Sequence, residues 1–261
     1  MAIEVIKEDG IATVTIDRPD ALNAFTTELI LEMHERINEL SDDSSVRVVI
    51  LTGAGEKAFI AGADIQEMSE KDHDGAVAFS RRGHKLCDAI ESMPQPVIAA
   101  INGFALGGGC EIAMACDIRI AADSAQLGQP EVGLGIPPAW GGTQRMPRIV
   151  GVGRAKELIF SGRHIGAEEA KEIGLVNAVY PADQVMPEAR KLAQVFLEKG
   201  PEALAASKKL INRTMETSMA TGNIHESKLF AAAFNGEEQS EGMEAFLQRR
   251  KPGFAKSSLD D

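Results

Sequence analysis

The run VIAAINGFALGGGCEIAMACDI, from Val97 to Ile118, constrains the fold more than any other part of this chain. Pro96 followed by the β-branched residues Val97, Ile98 and Ile101 predicts a short buried strand. Gly107, Gly108 and Gly109 then predict a turn, and a helix follows from Cys110 with Glu111 in its first turn. Glycines lack Cβ atoms, so backbone N–H groups there can approach a ligand closely. A helix starting at that point aims its free N–H groups and positive dipole end at the same spot. Donors placed in this way, with a carboxylate beside them, suit chemistry that passes through an oxyanion. The same glycines can also serve only close strand–helix packing, and a glutamate in a first helical turn favours the dipole in any protein.

The rest of the chain extends this strand-and-helix order. Ile3 to Lys7 and Ile11 to Ile16 bracket Glu8-Asp9-Gly10, a hairpin signal. Thr26 to Leu40 reads as an amphipathic helix, with Leu29, Met33, Ile37 and Leu40 on one face. Strands are predicted at Val46 to Leu51, near Ile118 and Gln126, and at Val176 to Tyr180. Helices are predicted near Val77 to Met93, near Gly142, and at Arg154 to Ser161 and Ala167 to Ile173. This rhythm predicts an α/β layered architecture. From about Ala182 the pattern becomes wholly helical, with segments at Gln184–Lys199, Pro201–Met219, Asn223–Asn235 and Ser240–Arg250. Gly200-Pro201, Thr221-Gly222 and Gly236 separate them. Leu229, Phe230, Phe234, Met243, Phe246 and Leu247 supply apolar surface suited to the chain's own core or to subunit contact. Lys256 to Asp261 reads as a frayed tail.

Composition narrows the function classes. A net charge of −12 argues against a nucleic-acid partner. Cys87, Cys110 and Cys116 are odd in number, sit in apolar surroundings and lack metal-ligand spacing, which predicts reduced structural thiols. The five histidines show no paired metal spacing, so no metal site is assigned. The opening MAIEVIKEDG carries Glu4, Glu8 and Asp9 within a strand-like alternation, unlike a secretory signal. No apolar run approaches the ~20 residues that span a bilayer, so no membrane partner and a cytoplasmic location are expected.

Glu111 has a companion in Glu131, within the loop LGQPEVGLGIPPAWGGTQRMPRIVG from Leu127 to Gly151, constrained by Gly128, Gly133, Gly135, Pro137 and Pro138. Two carboxylates converging on one water repel each other, which separates their protonation states and lets the pair donate and accept protons near neutral pH. A third segment, EKAFIAGADIQEM from Glu56 to Met68, offers Gly62 and Ala63 as another place where a backbone N–H can face a ligand. Taken alone, it reads equally as a loop before a helix.

Together and in this order, the three segments resemble the enoyl-CoA hydratase/isomerase (crotonase) family. The resemblance runs from RPDALNAF (Arg18 to Phe25) to EGMEAFLQRRKPGF (Glu241 to Phe254). It implies a spiral of ββα units over residues 1–195 and a helical oligomerisation region over 196–261. That region would build trimers, commonly stacked as dimers of trimers. It implies reversible hydration of trans-2-enoyl-CoA, with coenzyme A as part of the substrate and no separate cofactor. By resemblance, the N–H groups of Ala63 and Gly108 form the oxyanion hole, and Glu111 and Glu131 hold the water. The CoA contacts implied are Ala21, Leu22 and Ala24, then Lys57, then Ile60, Ala61, Gly62, Ala63, Asp64 and Ile65, with Gly107 and Gly108 at the thioester. Lys57 matches a phosphate-contacting lysine, whereas Gln66 stands where a second is common. Phe230 and Arg249 fall where a neighbouring subunit would reach the nucleotide. The helical stretch from Lys71 to Met93 would line or cap the acyl pocket, and Trp140 would lie near it or pack structurally.

Two other enzymatic readings stay open: a double-bond isomerase, and a hydratase for a cyclic or aromatic-derived enoyl-CoA. Retention of both glutamates favours hydration. A non-catalytic CoA-binding role is disfavoured by the same pair. RNA binding occurs in one branch of the family through a lysine-rich helix. Here the corresponding helix carries Glu28, Glu32, Glu35 and Glu39 against Arg36.

Overall fold

The computed structural model describes residues 2–214 and 216–254; the tail from Lys256 to Asp261 lies outside them. The chain opens with β1 (Ile3–Glu8) and β2 (Ile11–Ile16), an antiparallel pair. Asp9 and Gly10 both take positive φ, 50° and 80°. Such a two-residue turn matches the twist of a hairpin. Helix α1 (Thr27–Ser41) follows, its first turn capped by the Thr26 side chain, which accepts from the Leu29 N–H at 3.2 Å. Leu29, Ile30, Met33, Ile37 and Leu40 form its buried face.

The strands then alternate between two sheets. β3 (Val48–Gly53), β5 (Val97–Ile101) and β7 (Ile118–Ala122) are neighbours in a six-stranded sheet. β4 (Ala58–Ile60), β6 (Phe104–Leu106) and β8 (Gln126–Gly128) are neighbours in a second, four-stranded one. These strand pairs are parallel in both sheets. Helices close each turn: α2 (Ile65–Ser69) and α3 (His73–Ser92) after β4, α4 (Gly108–Ala115) after β6, and α5 (Gly142–Val150) after β8. Each ββα unit therefore gives one strand to each sheet before its helix turns back, which is the expected spiral.

One correction follows. Val97 to Ile118 is not a single strand, a turn and a helix, because Asn102-Gly103 breaks it into β5 and β6 of different sheets. Asn102 holds that break. Its side chain donates to the carbonyls of Gly53 (2.9 Å) and Gly55 (2.8 Å) and accepts from the Gly53 N–H (3.2 Å). Three-residue strands such as β4 and β6 are too short to show alternation, so the sequence pattern left Glu56 to Met68 ambiguous.

After α5 come α6 (Val152–Ser161), β9 (Ile165–Gly166), α7 (Ala167–Glu172), β10 (Ala178–Tyr180) and α8 (Val185–Leu197). β10 completes the first sheet beside β7, and α8 packs on that sheet. The chain ends in α9 (Pro201–Asn212), α10 (Met219–Ala233) and α11 (Glu237–Leu247). Two expected boundaries move. The helix from Pro201 stops at Asn212, and Thr221-Gly222 lies inside α10 rather than between helices. Ser218 is the reason: its side chain accepts from the Thr221 N–H at 3.2 Å and starts the helix ahead of the glycine.

Candidate active site

Gly107 sits at φ +52°, ψ −124° and turns the chain from β6 into α4. That positive φ strains any residue with a Cβ. The next two residues pack without side chains: a Cβ on Gly109 would lie 1.9 Å from the Ile60 carbonyl oxygen of β4. The second sheet can thus press directly on the start of α4, a helix buried along its whole length. The N–H groups of its first turn have no acceptor one turn earlier in the helix.

Ala63 approaches the same point from β4. Phe25 forms a parallel bridge with it: the Phe25 N–H donates to the Gly62 carbonyl and the Asp64 N–H to the Phe25 carbonyl, both at 2.9 Å. In a parallel bridge these flanking groups make the bonds, so Ala63's own N–H points to the opposite edge, toward β6 and Gly107. The Cα of Gly62 lies 4.0 Å from where a Gly107 Cβ would stand. Gly62 and Gly107, which precede the two expected oxyanion donors, are therefore neighbours.

Glu111 is buried in the first turn of α4, 1% exposed. Its Oε1 accepts from the Trp140 N–H at 2.8 Å and the Gly142 N–H at 2.6 Å. Burial raises its pKa to about 7, opposed by those two amides and by the charge of Arg145. Glu131 comes from a 3-10 turn, Glu131–Leu134, after β8. Its Oε1 would lie 3.0 Å from a Cβ on Gly107, so its carboxyl stands over the glycine turn. Its Oε2 is buried with no hydrogen-bond partner among the described residues. Burial raises Glu131 to about 7 as well, and the charge of Glu111 pushes in the same direction. The two carboxyls are thus close enough for the charge of Glu111 to raise Glu131.

The chain belongs to the enoyl-CoA hydratase/isomerase family. The enoyl-CoA hydratase/isomerase family model matches residues 6–257. The short-chain-enoyl-CoA hydratase of Clostridium acetobutylicum is 50% identical over 245 residues, 94% of each chain. The crotonyl-CoA hydratase of Syntrophomonas wolfei is 47% identical over 248 residues, 95% of each. A crystal structure of an enoyl-CoA hydratase from Bacillus anthracis superimposes with a TM-score of 0.95 at 39% identity, covering 98% of this chain and 100% of that one.

The other residues singled out by resemblance to the enoyl-CoA hydratase/isomerase family fall into two groups. Ala21, Leu22 and Ala24 form a tight loop against the segment 60–63, where the Ala61 N–H donates to the Leu22 carbonyl at 3.0 Å. Asn23, fully buried, stitches this loop down: it accepts from the Arg18 N–H and donates to the carbonyls of Ala54 and Ala58. Lys57 is exposed just before β4, and Gln66 is exposed on α2. Ile60 is buried in β4, so only its backbone can face a ligand. Asp64 caps α2 by accepting from the Glu67 N–H and pairs with Arg18 at 3.6 Å, while Ile65 is exposed. Phe230 and Arg249 are not brought to this site within the chain. Phe230 is exposed on α10, edge-on to Phe234, and Arg249 follows α11.

Trp140 packs structurally and also borders the glycine turn, since a Cβ on Gly108 would lie 2.5 Å from its ring. Its ring is buried edge-on to Phe25 and tilted against Phe79 of α3. Sequence reasoning missed Gln129, which is wholly buried and donates from Nε2 to the Gly107 carbonyl at 3.2 Å. That carbonyl shares a peptide with the Gly108 N–H, so the bond fixes the plane of the proposed oxyanion donor. A glutamine two residues before Glu131 carries no pattern that would have revealed this.

Among the described residues, no helix is long and apolar enough to cross a membrane. The free cysteines described, Cys87, Cys110 and Cys116, are all buried.

Proposed function

We propose that this protein catalyses the reversible addition of water to a trans-2-enoyl-CoA, giving a 3-hydroxyacyl-CoA. The observation that carries this reading is the pair of a buried Glu111 and a half-buried Glu131, both raised to about 7, beside the glycine turn that starts α4. Glu111 accepts two amide hydrogen bonds and feels Arg145, all of which favour its charged form, and we assign it the role of base. Glu131 keeps the shared proton, since its Oε2 has no donor to stabilise a charge among the described residues. A water between them gives a proton to Glu111 as its oxygen attacks Cβ, and Glu131 delivers its proton to Cα. Electron density moves onto the thioester oxygen, where the Ala63 and Gly108 N–H groups and the N-terminus of α4 stabilise it. The cycle ends with the proton on Glu111 and returns to the start by exchange. Hydration passes no electrons to a carrier, so coenzyme A enters only as the handle of the substrate.

The loop at Ala21–Ala24 and the backbone from Ile60 to Ile65 are proposed to hold the pantetheine and adenine, with Lys57 at the phosphates. The helical segment from 196 on is proposed as the surface for a second and third copy of this chain. Exposed Phe230, Phe234, Met243, Phe246 and Leu247 support that reading, and a neighbour docked there would bring Phe230 and Arg249 to a CoA site. The buried free cysteines support a cytosolic setting. The names of the two relatives make crotonyl-CoA the first substrate to try. Loss of its enoyl absorbance, yielding 3-hydroxybutyryl-CoA and abolished in Glu111→Gln and Glu131→Gln, is the expected result. Full turnover in both variants refutes the assignment.

A further inference from the structure

The loop that grips Glu111 is itself gripped, and the residue responsible lies outside the proposed machinery. Trp140 and Gly142 donate to the carboxyl from either side of Gly141, which takes φ +107°. That bend turns the Trp140 carbonyl toward α5, where Nη1 of Arg145 donates to it at 3.1 Å. The other edge of the same guanidinium reaches α3. Nη2 lies 2.7 Å from Glu91 and 3.0 Å from Asp88, and Nε lies 3.2 Å from Glu91. Ser80, also on α3, donates to the Ala139 carbonyl at 2.7 Å. The Arg145 side chain is 13% exposed, so the guanidinium is shielded although Asp88 and Glu91 reach solvent.

We propose that Arg145 is a positioning residue for Glu111: its fork ties the Trp140 carbonyl to Glu91 and Asp88, fixing the two amides that receive the carboxyl. The proposal rests on the reading of Glu111 as one of the catalytic pair. A surface ion pair of this kind contributes little to stability. Here the guanidinium is shielded and links Asp88 and Glu91 of α3 to the loop that holds Glu111. A planar fork suits the role, because three acceptors on two elements must be met at fixed angles.

The cation also acts on Glu111 through space. The titratable groups facing Glu111 are Glu131 from the 3-10 turn, Cys87 from α3, Cys110 from α4 and Arg145 from α5. Burial pushes the Cys110 thiol up to about 12 and that of Cys87 higher, so both stay neutral. Removing the Arg145 charge therefore raises the pKa of Glu111 and moves the acid limb of the rate profile to higher pH.

The test is steady-state hydration of crotonyl-CoA across pH for Arg145→Met, Arg145→Lys and Glu111→Gln. Arg145→Met is expected to lower kcat about 10- to 100-fold, the range for a slightly misplaced group. KM should stay near wild type, with the acid limb moved up by about half a pH unit. Arg145→Lys keeps the charge and loses the fork, so its limb should stay in place while kcat falls. Wild-type kcat and an unmoved limb in Arg145→Met, with Glu111→Gln inactive, overturn the proposal. So does a loss that only tracks the folded fraction. Should Arg145→Met fail to fold, Glu91→Gln loosens the same fork from a more exposed position; lower kcat at constant KM supports the role, and unchanged kcat overturns it. Normal turnover in Glu111→Gln overturns this proposal together with the reading beneath it.

Discussion

Replacing Glu111 by glutamine should make the protein inactive and more stable, and the gain should depend on pH in a defined way. Glu111 is moved from 4.5 to about 7 by burial, so the native state binds its proton more tightly than the unfolded chain does. A group raised in this way contributes fully below its unfolded pKa, and its contribution is lost as pH rises through the native value. At about 1.4 kcal/mol per pH unit, holding the ionised carboxyl in the fold costs about 3 kcal/mol at pH values above 7. Glutamine is close in shape and keeps an oxygen for the Trp140 and Gly142 amides, yet carries no charge to desolvate. The variant should match wild type near about pH 4.5 and exceed it by about 2 to 3 kcal/mol near about pH 8. Because Glu131 is raised partly by Glu111, part of that gain comes from relief of the pair rather than from Glu111 alone. Thermal unfolding at matched protein concentration, at both pH values, measures the difference. An advantage that is equal at the two values, or a variant less stable than wild type at the higher one, refutes the claim that Glu111 is a buried, strained carboxyl.

Other consequences are simpler to read. Gly109→Ala places a methyl 1.9 Å from the Ile60 carbonyl oxygen and should destabilise by about 3 kcal/mol or more, seen as a fall in unfolding midpoint. Gly133→Ala has nothing within 4 Å of the new Cβ and should change stability by less than about 0.5 kcal/mol in the same assay. Sedimentation should give a mass at or above three chains. Phe246→Glu with Leu247→Glu, at two of the most exposed apolar side chains of α11, should reduce it to one; a wild-type monomer refutes the interface.

Local chemistry was legible where a single element carries its own signal. Thr26 and the apolar face of Leu29, Met33, Ile37 and Leu40 are enough to place α1, and Glu8-Asp9-Gly10 to place the first hairpin. The two glutamates and the glycine run were visible for the same reason, since each side chain names its own chemistry. The alternation of strands between two sheets was not, because it depends on Asn102 crossing from β6's turn to the Gly53 and Gly55 carbonyls, a contact between distant parts of the chain. The C-terminal boundaries shifted for a related reason: glycine weakens a helix interior, but Ser218 starts α10 firmly enough to carry Gly222 within it.

What remained hidden in the site is mostly backbone. Nothing in the letters of Trp140 and Gly142 says that their amides hold a carboxyl; Trp140 is read from its ring, and its ring packs against Phe25 and Phe79. Yet these amides favour the charged form of Glu111, and Glu131 has no equivalent pair of donors among the described residues. Gln129 does similar work on the other side, holding the Gly107 peptide whose far end is the proposed oxyanion donor. The division of labour between two identical side chains is therefore set by loops, Gly141's bend and Arg145's fork above all. A substitution at Arg145, which touches neither Glu111 nor Glu131, should therefore act first on Glu111 and reach Glu131 only through the charge of Glu111, an order that pH profiles of the variants would separate.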